Sequence, residues 1–278
     1  MNWINLIFYM CFILIVCPVN SEQTSPTTTT EPKIIELNKQ NLITLRGEID
    51  EQLTSEIIGK INKFSNNQVY LYITSQGGSV IEGLQIIDQL QTLAHRNIKL
   101  ACIADFAASM AFVIFQSCPV RYVTTSSILM QHQMSLRLKG NLENINTYLE
   151  FISNIDSDLD ELQANKLAMP IEEFKKKINN DWWLNYKSII KSNAADSLAI
   201  VVCNGEIVDM SEEMVKSTML VDVRVKFSKC PISREPTEIK YNGKFGSVSI
   251  SESTLNDIVS KITPSKFIYG LIKKSYAE

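Results

Sequence analysis

Histidine is scarce in this sequence, and the patterns that mark zinc sites and nucleic-acid binders are missing. Of the 278 residues, only His95 and His132 are histidines, so a catalytic imidazole has at most two candidates. No Cys-x-x-Cys pair or Cys/His cluster has the spacing of a zinc site. The net charge is −3, and the sequence has no stripe of lysine and arginine. These two features exclude a strongly basic nucleic-acid binder. We therefore predict no metal, no cofactor and no nucleic-acid partner.

The first 21 residues contain no charged side chain, and residues 4–17 are nearly all apolar. An apolar run of this length is short for a membrane-spanning helix and is typical of a cleaved signal peptide. Val19 and Ser21 suit the small-residue positions before a cleavage site that would free Glu22. The sequence therefore predicts a protein that is secreted or held in the lumen of the secretory pathway. An uncleaved anchor is the alternative, and only then do we expect contact with a membrane.

The cysteines fit an oxidising compartment. Cys11 and Cys17 would leave with the signal peptide. An even number remains in the mature chain, which permits two disulfides: Cys102, Cys118, Cys203 and Cys230. Cys203 with Cys230 is the favoured pair, because both lie in the later, less regular part of the sequence. Cys102 lies in an apolar, strand-like run, which predicts a buried free thiol.

From residue 34 onward, strand and helix patterns alternate along the chain. Residues 69–74 are β-branched and aromatic and predict a buried strand, and residues 79–94 follow with a helical period. Residues 98–103 predict a further buried strand, and residues 107–116 predict a short helix of small residues. This repeated order predicts an α/β domain with a mostly parallel sheet.

Residues 140–168 predict one long helix, because apolar residues recur at every third or fourth position. Such a helix either packs within the domain or projects towards another subunit. After about residue 210 the pattern changes, with strands predicted at 219–225 and 239–250 and a helix at 251–262. We divide the chain into four parts: a signal peptide (1–21), a threonine-rich linker (22–33), an α/β domain (34–210) and a C-terminal extension of unknown role (211–278).

Three short segments carry groups that are suited to catalysis. Gly77 and Gly78 lie between a predicted strand and a predicted helix, where a glycine backbone can approach a ligand closely. Ser109 lies at the start of the short predicted helix, and His132 ends an apolar strand. Each has an ordinary structural alternative: a tight turn for the glycines, a helix cap for the serine and a buried polar role for the histidine.

The chain from about residue 35 to residue 196 resembles the proteolytic subunit of the Clp protease, a serine peptidase with the ClpP/crotonase-type fold. The motifs LYITSQGGSV, AASMAF and LMQHQ occur in that family's order and spacing, and NDWWL follows the long helix. The long helix itself resembles the handle helix that joins rings in the family. The resemblance implies a ClpP/crotonase-like α/β fold and a homo-oligomeric ring.

The resemblance also implies roles for single residues. Ser109 matches the nucleophile, His132 the general base and Asp181 the acid that orients the histidine. The backbone N–H groups of Gly78 and Met110 match the donors that stabilise the oxyanion. In such a triad the imidazole takes the hydroxyl proton during attack, and the carboxylate stabilises the imidazolium. The implied activity is a serine endopeptidase acting on peptides or unfolded proteins.

Three positions near these motifs depart from the family's usual residues. Gln76 stands where the family usually has proline, and Asp105 and Ala111 stand where it usually has glycine. The predicted signal and linker replace the N-terminal segment with which the family engages an ATP-driven unfoldase. The sequence has no GxxxxGK[ST] motif for binding ATP itself. We therefore expect peptidase activity without the usual unfoldase.

Two hypotheses from other classes stay open. One is a non-catalytic oligomeric scaffold or interaction protein that keeps the fold. The other is an acyl-CoA enzyme of the crotonase type, which shares the fold but does not account for Ser, His and Asp at this spacing. The final compartment is open as well, because some plastids that contain Clp subunits are reached through the secretory pathway.

Overall fold

Strands and helices alternate through residues 31–245 and 249–264, the part of the chain that the computed structural model describes. The predicted signal peptide and most of the predicted linker lie outside the described residues, as do residues 265–278. The strands of the larger sheet are β1 (Lys33–Leu37), β2 (Leu42–Ile49), β3 (Gln68–Gly78), β4 (Lys99–Ala108), β5 (Arg121–Gln131), β6 (Trp182–Asn185) and β7 (Ser197–Cys203). Those of the smaller sheet are β8 (Ser211–Ser217), β9 (Val221–Ser228) and β10 (Glu238–Gly243). The helices are α1 (Glu51–Lys63), α2 (Val80–His95), α3 (Met110–Ser117), α4 (Leu142–Lys166), α5 (Ile171–Ile178), α6 (Tyr186–Lys191), α7 (Gly205–Asp209) and α8 (Glu252–Ser260).

The larger sheet has the order β1-β7-β5-β4-β3-β2, and neighbouring strands on this path are parallel. Strand β6 pairs antiparallel with the end of β5. A strand that is buried on both faces is apolar almost throughout, and in β4 every residue after Lys99 is buried. The predicted α/β fold with a mostly parallel sheet is confirmed.

Polar caps start several helices where the sequence predicts them. The Asp50 carboxylate accepts the Leu53 N–H at 2.9 Å before α1, and the Asn141 side chain accepts the Asn144 N–H at 2.9 Å before α4. The helix predicted at residues 107–116 begins later, because β4 continues to Ala108. None of the helices within the described residues is long and apolar enough to cross a membrane.

The C-terminal part forms the smaller, antiparallel sheet with the order β10-β9-β8. Strand β9 alternates buried and more accessible residues, and its buried side chains pack with Ile258 and Val259 of α8. The strand predicted at 239–250 ends at Gly243. Strand β8 was not predicted, because its sequence SEEMVKS is mostly polar.

Two disulfide bonds join elements of the described chain. One links Cys203 to Cys230, with their Cα atoms 5.9 Å apart. The other links Cys102 to Cys118, so the prediction of a free thiol at Cys102 is wrong. After α3 the chain returns alongside β4, where the Cys102 N–H donates to the Val120 carbonyl at 2.8 Å. That return brings Cys118 to Cys102, a tertiary contact that the apolar pattern does not reveal.

Candidate active site

Ser109 lies on the sharp turn between β4 and α3. Its φ of 55° and ψ of −125° are unusual for a residue with a side chain, and such strain is typical of functional sites. The turn is held by a hydrogen bond from the Ser109 N–H to the Met130 carbonyl at 3.0 Å. The Ser109 side chain makes no capping hydrogen bond to α3. Its hydroxyl therefore does not serve as the helix cap that the sequence left as an alternative.

His132 follows β5 directly, and its Nε2 lies 2.9 Å from the Ser109 Oγ. Strands β4 and β5 are adjacent and parallel, with Ala108 paired to Met130, so both side chains leave the same edge of the sheet. His132 is half-buried. The other histidine, His95, is the exposed last residue of α2. The structure thus brings together one serine and one histidine in the arrangement of a nucleophile and its base.

Asp181 is exposed and lies immediately before β6. Strand β6 pairs with β5 so that Trp182 lies opposite Gln131, and one further step in this register places Asp181 opposite His132. Across the part of the chain that the structure describes, the Asp181 carboxylate forms no hydrogen bond or ion pair with the imidazole. The backbone therefore brings Asp181 next to His132, but their side chains are not joined.

The end of β3 approaches the Ser109 turn so closely that only glycine fits. Gly77 has a φ of +92°, and a Cβ there would lie 2.6 Å from the Ala108 carbonyl oxygen and 2.8 Å from the Ser109 Cβ. Gly78 has a φ of +151°, and a Cβ there would collide with the backbone of Ile49. Met110 is the first residue of α3, where backbone N–H groups have no carbonyl partner within the helix. Gly77 thus brings the end of β3 against the Ser109 turn, and Gly78 and Met110 both line the cleft beside it.

A cleft of about 120 Å³ opens beside Ser109 and His132, and one face of α4 forms part of its wall. A buried contact fixes this face: the Gln131 Nε2 donates to the Gln163 Oε1 at 2.5 Å. The Gln163 Nε2 in turn donates to the Leu159 carbonyl at 2.9 Å. Since Gln131 ends β5 next to His132, the contact holds α4 against the side of the sheet that carries Ser109 and His132.

Two aspartates of α4 line this cleft, and sequence reasoning missed both. Asp156 and Asp160 are four residues apart, which places them on one helix face. Asp160 is only 6% exposed, and burial, together with the negative charge of Asp156, raises its pKa to about 6. Burial also raises the pKa of Asp156. The sequence did contain a signal for them. Asp156 and Asp160 directly follow Ile155 and Leu159, so they border the apolar stripe of the predicted helix and lie near its buried face.

Two of the residues that depart from the family pattern contact the C-terminal part of the chain. The Gln76 Nε2 donates to the Lys261 carbonyl at 3.0 Å. Asp105, which is 3% exposed, accepts a hydrogen bond from the Arg234 Nε at 2.8 Å. Ala111 is fully buried in the main core. Two of the three departures are therefore contact points for residues after 210.

The model of the family described as Clp protease matches residues 28–198 of this chain. This segment contains Ser109, His132 and Asp181, whereas the smaller sheet and α8 lie beyond it. The match covers more than half of the 278 residues. The parallel sheet, the strained serine turn and the adjacent histidine agree with it. The chain therefore belongs to the Clp protease family.

Proposed function

We propose that this chain is a serine endopeptidase that cleaves peptides or unfolded proteins with Ser109 as the nucleophile. The observation that carries the proposal is the 2.9 Å separation of the Ser109 Oγ and the His132 Nε2 at the mouth of the cleft. A serine hydroxyl is a weak nucleophile unless an adjacent base removes its proton. In this proposal His132 is that base, and its distance from Ser109 and the strained turn at Ser109 support the assignment.

In the proposed reaction, the Ser109 oxygen attacks the peptide carbonyl carbon while His132 takes the hydroxyl proton. The carbonyl oxygen becomes an oxyanion, which the N–H groups of Gly78 and Met110 stabilise. The tetrahedral intermediate then collapses, the C–N bond breaks, and the imidazolium gives its proton to the leaving amine. Water, deprotonated by His132, next attacks the acyl ester, and the imidazolium returns that proton to the Ser109 oxygen as the ester C–O bond breaks. Bond formation and proton transfer balance without a cofactor.

Asp181 is the proposed orienting acid. The register of β6 against β5 supports this role, because one step beyond its last pair, Gln131 with Trp182, would place Asp181 opposite His132. In that role the carboxylate accepts the His132 Nδ1 hydrogen and stabilises the imidazolium. Since the two side chains are not joined here, the proposal requires the Asp181 side chain to turn towards the imidazole during catalysis.

We also propose that the chain acts as a secreted or lumenal homo-oligomer without an ATP-driven unfoldase. The two disulfide bonds support this location, because disulfides persist in oxidising compartments. Several apolar side chains on α4 support a contact between copies because they are exposed in one chain: Leu142, Tyr148, Leu149 and Phe151. A plastid reached through the secretory pathway and a membrane anchor are the alternative destinations.

Labelling of the purified mature chain with a fluorophosphonate probe tests the activity. We expect modification of Ser109 in the wild type and none in Ser109→Ala or His132→Ala, whose losses in similar triads reach about 10⁶-fold. Asp181→Asn is expected to slow labelling by up to about 10⁴-fold. Ser117→Ala, at the other end of α3, is the matched control and should be labelled like the wild type. A folded, unlabelled wild type would instead support the non-catalytic scaffold.

A further inference from the structure

Asp160 is a buried carboxylate that the fold leaves without a partner. It is 6% exposed, and it lines the cleft beside Ser109. Within the ranges that the structure describes, its side chain forms no hydrogen bond and no ion pair. Lys175 is close enough to influence its charge but does not form an ion pair with it. Buried carboxylates in folded proteins are normally paired, so this one calls for an explanation.

The pKa of the Asp160 carboxyl is raised but stays below neutral pH. Its pKa is raised to about 6, first by burial and then by the charge of Asp156, so the charged form still dominates at pH 7. Asp156 lines the same cleft one helical turn earlier. The cleft therefore holds two carboxyl groups and, among the described residues that line it, no lysine or arginine.

The rest of the cleft is suited to an extended apolar chain. Besides Ser109 and the two aspartates, its lining includes the apolar side chains of Val113, Met134 and Leu159. A lysine or arginine side chain complements this lining, because its aliphatic stem matches the apolar side chains and its cationic end matches the aspartates. An acidic side chain would be repelled, and a purely apolar one would leave Asp160 desolvated without compensation.

We propose that Asp160, with Asp156, makes this cleft a specificity pocket for a lysine or arginine side chain of the substrate. The pocket also includes Gly78 and Met110, the proposed oxyanion donors, so it adjoins the carbonyl that Ser109 attacks. The peptidase therefore cleaves after basic residues. This inference rests on the proposed serine peptidase activity, whose labelling test does not depend on substrate side chains.

Fluorogenic peptides that differ only in the residue before an aminocoumarin leaving group test the pocket in the mature chain. We expect kcat/KM to be at least about 10-fold higher after lysine or arginine than after leucine. Asp160→Asn is expected to lower kcat/KM for the basic substrates by about 30-fold, because the cation loses a desolvated partner. The preference for the basic peptides over the leucine peptide is therefore expected to fall by about 10-fold in this variant, since the leucine side chain makes no ion pair. Asp158→Asn is the matched control, because Asp158 is an exposed aspartate of α4 that does not line the cleft.

A second measurement separates the pocket from catalysis. We expect p-aminobenzamidine, a small aromatic cation, to bind both the wild type and Ser109→Ala, and to bind Asp160→Asn at least about 10-fold more weakly. A labelled enzyme that prefers leucine, or whose preference Asp160→Asn leaves unchanged, overturns the pocket but keeps the peptidase. A chain that binds the amidine but is not labelled overturns the peptidase and keeps the cationic pocket. A chain that does neither overturns both.

Discussion

Two buried aspartates show how differently this molecule treats its sheet interior and its cleft. Asp105, in β4, is 3% exposed and is paired with the Arg234 guanidinium from the C-terminal part. Asp160, in α4, is 6% exposed and has no cationic partner at ion-pair distance within the described chain. Both residues are largely buried, but only Asp105 has a cationic partner, whereas Asp160 lines the cleft.

The difference separates a structural carboxylate from a functional one. The Arg234 pKa is raised by its hydrogen bond to Asp105, as expected for a cation held by a carboxylate. Near Asp160 the protein leaves space instead of a cation. Natural proteins tolerate such local instability mainly where a ligand uses it. If this comparison is correct, removing charge should destabilise the first site and stabilise the second.

The largest expected effect is at Arg234. Arg234→Met leaves Asp105 buried without its cation, and we expect a loss of about 3 kcal/mol in the free energy of unfolding, measured with urea. Arg224→Met is the matched control, because Arg224 pairs with Glu213 on the exposed surface at 3.0 Å and should change stability by at most about 0.5 kcal/mol. Combining Arg234→Met with Asp105→Asn should recover part of the loss. Equal losses of unfolding free energy in Arg234→Met and Arg224→Met would show that the Asp105–Arg234 pair contributes no more to stability than a surface ion pair.

The second effect has the opposite sign and depends on pH. The folded-state pKa of Asp160 is raised from 3.8 to about 6, so folding binds a proton and the wild type loses stability as pH rises between these values. Asp156 and His132 in the cleft and Lys175 near it are the other charged or titratable groups to consider. We expect Asp160→Asn to be more stable than the wild type by about 2 kcal/mol at pH 8 and by little near pH 4.

Urea unfolding at both pH values checks this, with Asp158→Asn as the control. The exposed Asp158 carboxylate should show a difference of at most about 0.5 kcal/mol at either pH. A variant at Asp160 that is destabilised at pH 8 would show that the carboxylate has a structural role, like Asp105.

The smallest effect is expected at Gln76, the other departure that meets the C-terminal part. Gln76→Ala removes the hydrogen bond to the Lys261 carbonyl and should reduce the free energy of unfolding by about 1 kcal/mol. The Glu48 N–H donates to the same carbonyl at 2.6 Å, so its hydrogen exchange reports on this contact directly. We expect faster exchange at Glu48 and unchanged labelling of Ser109. If Gln76→Ala lost more stability than Arg234→Met, the Gln76–Lys261 contact would be the stronger of the two contacts with the C-terminal part.

Much of this arrangement could be predicted from the sequence, because local patterns were strong where one face of an element is buried. The apolar run at residues 69–74 and the helical period at 140–168 predicted β3 and α4. Family motifs selected Ser109 and His132. The burial of Asp160 could not be predicted, since an aspartate on a helix ordinarily faces water. The Gln131–Gln163 contact, 32 residues apart, decides which face of α4 meets the cleft.

The contacts of Arg46 constrain the order in which the chain can fold during synthesis. This fully buried side chain of β2 lies with its guanidinium 4.4 Å from the Phe227 ring centre, and it donates to the Pro231 and Ser233 carbonyls at 3.4 and 3.3 Å. Those partners are 185 and 187 residues later, which takes on the order of 10 s of synthesis. Until these partner residues leave the ribosome, the Arg46 guanidinium has none of these partners and must stay in water at the β2 edge of the sheet. The nascent peptidase domain therefore completes its fold only after its C-terminal residues have been made.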